Sequence, residues 1–292
     1  MNGYHRIVLP FVSWGNAKVR WLLTLSLIFT LSCSSPGKNM IEAAAANDGN
    51  SIEHALKAGA NIDTTDANGY TPLLWAAASG HEDMVKLLLT NGASVNARNK
   101  FGETALSIVS YKGYDEMAGI LIDAKADVNT VNKDGVSPLM YSARYGFSKI
   151  VERLLNNHAD VTLVSKEGLT AVIYACLNNQ IPAAKLLIQH KADLSYHMHD
   201  DDTILMLLCN NGNQAMVLFL LENGAFVNAK NKYSDTPLMA ACRSRHADIV
   251  RLLLQYKVDI NTKDDNGETA LTHAIRAGDQ SIVELLKANG AK

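Results

Sequence analysis

Asp66-Ala67-Asn68-Gly69-Tyr70-Thr71-Pro72-Leu73-Leu74-Trp75-Ala76-Ala77-Ala78-Ser79-Gly80-His81 decides the fold, because its phase returns down the whole chain. Thr71, Thr104, Ser137, Thr170, Thr203, Thr236 and Thr269 follow one another at steps of 33 residues. Ala60, Ala93, Ala126, Ala159, Ala192, Ala225, Val258 and Ala291 keep the same step. A period of about 20 to 50 residues signals a solenoid, in which each unit buries its apolar face only against its neighbours.

One unit can be read residue by residue. Asn68-Gly69 is a tight-turn signal. Thr71 is placed to cap a helix, and Pro72 sits at the first helical position, where a missing N–H does no harm. Leu73, Ala76 and Ala77 form one face of a two-turn helix, which Gly80 ends. A second helix starts near His81-Glu82-Asp83, with its acids at the positive helix end. Val85, Leu88 and Leu89 supply its apolar stripe, and Asn91-Gly92-Ala93 closes it. The unit is two antiparallel helices and an outstretched hairpin, so the fold class is all-α with short β-hairpin loops.

This pattern resembles the ankyrin repeat over about residues 38–292. It reads Asp66-x-x-Gly69-x-Thr71-Pro72-Leu73, then Thr236-Pro237-Leu238-Met239-Ala240-Ala241, with outer halves such as Ile249-Val250-Arg251-Leu252-Leu253-Leu254. Seven units carry the opening residue, and an eighth at 38–65 shows Ala43-Ala44-Ala45-Ala46, which makes eight repeats. The family usually places His two residues after the Pro, tying the helix to the hairpin. Here Leu74, Ser107, Met140, Ile173, Met206, Met239 and Thr272 stand instead, so apolar packing is expected to replace that tie at most units. The unit opening at Thr203 departs furthest, with Ile204 for Pro and Asp201 for the turn Gly. Asn179 and Arg245 fill the helix-ending Gly position. The softest part of the array is expected at residues 165–210. Lys287 and Lys292 suit a polar terminal cap.

Composition is 48% hydrophobic and 19% charged, which fits a folded body rather than a disordered one. Residues 33–292 hold 24 Lys and Arg against 29 Asp and Glu. That balance lacks the basic excess of a nucleic-acid binder, so none is expected as partner.

Residues 1–32 read as a signal peptide. Lys18 and Arg20 precede the apolar run Trp21–Leu31, which has the length of a signal h-region and is shorter than the about 20 residues a membrane span needs. With Ser32-Cys33-Ser34-Ser35-Pro36-Gly37 following, the segment resembles a bacterial lipoprotein signal. That resemblance implies cleavage before Cys33, lipidation of Cys33 and a short tether over 33–37. Thr30 and Leu31 depart from the usual residues before the cut.

Cys176, Cys209 and Cys242 share one column. Stacked helix axes lie about 8–10 Å apart, beyond the about 7 Å that a disulfide allows, so free buried thiols are expected. His197, His199 and Asp200 are the conspicuous grouping of metal-ligand types, but they read as a solvated hairpin tip, with no metal assigned. No nucleophile, phosphate loop or paired-carboxylate signature stands out, so neither catalysis nor a cofactor is expected.

Relatives of the resembled family usually dock partners on the concave side built by hairpin tips and first helices. An aromatic and basic group falls there: Tyr70, Phe101, Tyr111, Lys112, Arg144 and Tyr145, of types enriched where interfaces concentrate energy. The expectation is a monomeric, non-enzymatic protein-binding scaffold, tethered to a membrane on the periplasmic side by its lipid alone. A cytoplasmic interaction protein or secreted effector is the alternative.

Overall fold

The computed structural model describes residues 36–292, so the expected signal segment 1–32 and Cys33 lie outside the described residues. The repeats run as eight helix pairs: α1 (Pro36–Ala45) with α2 (Gly49–Lys57), α3 (Pro72–Ser79) with α4 (Glu82–Thr90), α5 (Ala105–Lys112) with α6 (Asp115–Asp123), and α7 (Pro138–Tyr145) with α8 (Ser148–Asn156). They continue as α9 (Ala171–Leu177) with α10 (Ile181–Gln189), α11 (Ile204–Asn211) with α12 (Gln214–Glu222), α13 (Pro237–Arg243) with α14 (Ala247–Leu253), and α15 (Ala270–Ala277) with α16 (Gln280–Ala288). Pro36 and Gly37, expected in the tether, are instead the first residues of α1. Proline is well suited to a first helical turn, where its missing N–H has no partner to lose.

The repeated Thr or Ser caps each inner helix by accepting the N–H three residues on, as Thr71 does from Leu74 at 3.2 Å and Ser137 from Met140 at 3.2 Å. Thr170 is the exception: it makes no capping bond, and its buried Oγ1 has no partner among the described residues. Gly113 shows why glycine ends an inner helix. Its φ is 81°, and a Cβ there would meet the Phe147 ring at 2.6 Å. Asn179 and Arg245 take the same left-handed turn at φ 57° and 63°, and their helices α9 and α13 stop a residue early.

One continuous core runs through the stack, with Leu73, Leu106, Leu139 and Leu238 each about fully buried at one repeat position. Inner helices pack on inner, and outer on outer. The contact between α9 and α11 is the thinnest of the inner junctions. An open crevice lined by Leu194, Asn223 and Gly224 lies at the outer side of the same joint.

The hairpins need a correction. Among the described residues there is no strand, only an isolated antiparallel bridge between His197 and Thr203. Each hairpin closes through two backbone bonds, as Asp66 N–H to Tyr70 O at 3.1 Å and Gly69 N–H to Asp66 O at 3.0 Å, and tips reach their neighbours through one more, as Lys100 N–H to Asn68 O at 2.9 Å. So few bonds per arm do not make a ladder.

Candidate functional site

What organises each hairpin is the side chain five residues before the cap. Asp66 Oδ1 accepts the N–H groups of Asn68 and Tyr70 at 2.8 and 2.9 Å; Asn132 Oδ1 accepts those of Asp134 and Val136, both at 2.9 Å. Short polar side chains that bind their own backbone two residues on are turn formers. The same residues reach nine positions forward to the inner helix. Trp75 Nε1–H donates to Asp66 Oδ2 at 3.1 Å, and Asn132 Nδ2–H to the Tyr141 hydroxyl at 2.9 Å. Tyr174 OH lies 3.2 Å from Ser165 Oγ, and His273 Nε2 lies 3.1 Å from Asp264 Oδ2.

This overturns the expectation that apolar packing replaces the polar tie. The tie is present one residue later than the position first considered, at Trp75, Tyr141, Tyr174 and His273. Where that later position is apolar, at Ile108, the Asn99 amide turns to Glu103 Oε2 at 2.7 Å. The sequence held only a broken trace of it: Trp75, Tyr141, Tyr174 and His273 each stand nine residues after Asp66, Asn132, Ser165 and Asp264, but Ile108, Leu207 and Ala240 interrupt the column.

Met198 is the exception, since it offers no acceptor oxygen. There Asp200 and Asp201 both take positive φ, 66° and 61°, and His197 Nδ1–H donates to the Asp201 carbonyl at 2.8 Å. Asp200 pairs with Lys232. His197 and Asp200 therefore hold the turn and its neighbour.

Metal-ligand atoms do converge elsewhere, at Asp235, Asp264 and His273. Those atoms are already engaged. Asp264 Oδ1 accepts two backbone N–H groups at 2.9 Å, and Asp235 Oδ1 takes Arg243 Nη2 at 2.6 Å. Arg276 grips Glu268 beside them at 2.7 Å. Burial opposes the Asp264 charge, but the bonds from Glu268 N–H, His273 and Asn266 N–H hold its carboxyl below the ordinary value. The arrangement is a structural ion-pair network.

The aromatic group divides. Tyr111 of α5 meets Tyr141 and Tyr145 of α7 edge-on, with ring centroids 5.6 and 5.2 Å apart and planes at 77° and 89°. Edge-to-face pairs suit the ring quadrupole. The Arg144 guanidinium lies 5.8 Å from the Tyr145 ring and 5.7 Å from Tyr174 of α9. Tyr111, Arg144 and Tyr145 are thus brought together across three units, with Tyr141 and Tyr174, which sequence reading missed. Tyr70 belongs to a separate group: its ring is 5.3 Å from Trp75, and its hydroxyl donates to Glu103 Oε2 at 3.3 Å. Phe101 stands on a hairpin tip, 45% exposed, and Lys112 is half-buried at the end of α5. Burial, with Glu167 beside it, pushes the Tyr174 hydroxyl up to about 12; burial also raises Tyr70 and Tyr141. These rings stay uncharged at neutral pH and act by contact.

Cys176, Cys209 and Cys242 are free and buried. Burial pushes the Cys176 and Cys242 thiols up to about 12, so they are inert packing groups. Among the described residues no helix is long and apolar enough to cross a membrane.

A family model for ankyrin repeats, in three copies, matches residues 15–99, 40–132, 91–164, 139–231 and 205–292. No curated protein matches the chain.

Proposed function

This chain belongs to the ankyrin-repeat family, and from that premise we propose that it is a non-enzymatic scaffold that docks a protein partner on the face built by its hairpins and inner helices. The observation that carries the reading is the joined group of Tyr111, Tyr145 and Arg144. Tyr145 keeps 38% of its surface exposed while its ring is held edge-on by Tyr111 and flanked by a guanidinium. Rigid, amphipathic side chains of this kind lose little freedom on binding, which is why Tyr and Arg dominate interface energetics.

The test is in-cell crosslinking of wild type and of the double variant Tyr111→Ala, Tyr145→Ala. A specific crosslinked partner should be lost from the variant while its circular dichroism stays that of a folded solenoid. Retention of the partner by the variant refutes the site.

The scaffold acts as a monomer held on the periplasmic side of a bacterial membrane by acyl chains on Cys33. Support comes from the basic, apolar and Cys-containing order of residues 18–33. More than one acyl chain makes such anchoring stable. Intact-mass measurement should show residues 1–32 removed and an acyl addition on Cys33. An unprocessed chain would favour a cytoplasmic interaction protein, and cleavage without acylation a secreted one.

A further inference from the structure

Three successive hairpin tips carry lysine at one repeat position: Lys100, Lys133 and Lys166, four residues before Thr104, Ser137 and Thr170. All three are exposed. Their backbones are pinned in a row, because Lys100 N–H donates to Asn68 O, Lys133 N–H to Phe101 O and Lys166 N–H to Asp134 O, each at 2.9 Å. Only the side chains are left to swing. None of the three enters an ion pair among the described residues. The row stops there. The corresponding residue is Ala67 before it and His199 after it, and Lys232 further on is paired with Asp200 and lies 4.9 Å from the Tyr233 ring.

Charge sets this stretch apart. Lys112 and Arg144 on the adjoining inner helices make five cations against three carboxylates, Glu103, Asp134 and Glu167. Two of those carboxylates already have partners: Glu103 accepts from Asn99 and Tyr70, and Glu167 lies 3.1 Å from the Tyr174 hydroxyl. Toward the other end, Arg243 and Arg276 are matched by Asp235 and Glu268. A local cationic excess therefore stands on a body that carries more acids than bases.

Spacing selects the conformation of what binds. Stacked helices repeat about every 8–10 Å. A polyproline-II segment has three residues per turn and rises about 3.1 Å per residue, so every third side chain lies on one edge about 9 Å apart. A β-strand, whose same-face side chains recur about every 6.6 Å, does not match.

We propose that the partner segment is an extended acidic polypeptide in polyproline-II conformation. A carboxylate at every third residue meets Lys100, Lys133 and Lys166 in turn, and intervening apolar side chains rest on Phe101 and the Tyr111–Tyr145 pair. This rests on the reading above that the face docks a protein.

The experiment is fluorescence anisotropy on the full-length protein with a labelled peptide of about 9 residues, three turns long, bearing Glu at every third position. A second peptide of identical composition carries its Glu residues side by side. The spaced peptide should bind more tightly than the contiguous one, and more weakly as salt screens the charges. The triple variant Lys100→Ala, Lys133→Ala, Lys166→Ala should weaken it about tenfold, whereas the triple arginine variant should retain binding. Equal affinity for both peptides, no binding of either, indifference to the triple alanine variant, or equally tight binding of oligothymidylate of the same charge overturns the proposal. The parent reading is judged separately: if the crosslinked partner still depends on Tyr111 and Tyr145, the scaffold stands while the acidic-segment proposal falls.

Discussion

The indole N–H of Trp75 donates to Oδ2 of Asp66 at 3.1 Å, while Oδ1 of the same carboxylate accepts the N–H groups of Asn68 and Tyr70. One side chain thus shapes the hairpin and fastens it to the inner helix. Trp75→Phe removes the fastening while keeping a ring beside Tyr70, and should cost about 1 kcal/mol in urea unfolding. Asp66→Ala also strips the turn of its acceptor and should cost about twice as much. Equal losses from the two variants would contradict this division of labour.

The bonds that Asp264 accepts from Glu268 N–H, His273 and Asn266 N–H, which outweigh the cost of burial, predict a pH dependence at the C-terminal end. The Asp264 carboxyl, ordinarily at 3.8, is held lower in the folded chain. Its contribution is therefore complete above the unfolded value near 3.8 and is lost as pH falls through the lower folded value. Unfolding midpoints of wild type should drop on acidification below that point more steeply than those of Asp264→Asn. Parallel pH profiles of the two proteins would remove Asp264 as the cause.

The joint between the fifth and sixth units should be the weakest in the array. Three features coincide there: thin packing of α9 on α11, the unpartnered Thr170 hydroxyl, and a turn that needs positive φ at both Asp200 and Asp201. Such strain costs on the order of 1–3 kcal/mol at each non-glycine residue. Amide hydrogen exchange should be faster over residues 165–210 than over 66–98, and limited proteolysis should cut there first. Uniform protection along the stack is the result that defeats this view.

The three column thiols are predicted to be silent in the folded protein. Cys176, Cys209 and Cys242 are each fully shielded, and burial raises all three thiols. A thiol reagent at neutral pH should modify none of them in native buffer and all of them in denaturant, with Cys33 counted apart. Rapid native labelling of any of the three would mean that its unit opens locally.

How far the sequence alone reached follows from the range of the interactions involved. Thr71 capping Leu74, Pro72 opening a helix and Gly80 ending one act across a few residues, so repeat length, helix limits and the buried leucine column were legible directly. The tie from Asp66 to Trp75 was not, because it exists only when the hairpin folds back on its own helix. Likewise, only stacking set Tyr111 against Tyr145 across two units, separated Tyr70 from them, and left the α9–α11 joint thin. Those placements depend on how each unit turns relative to the next, which no single repeat encodes.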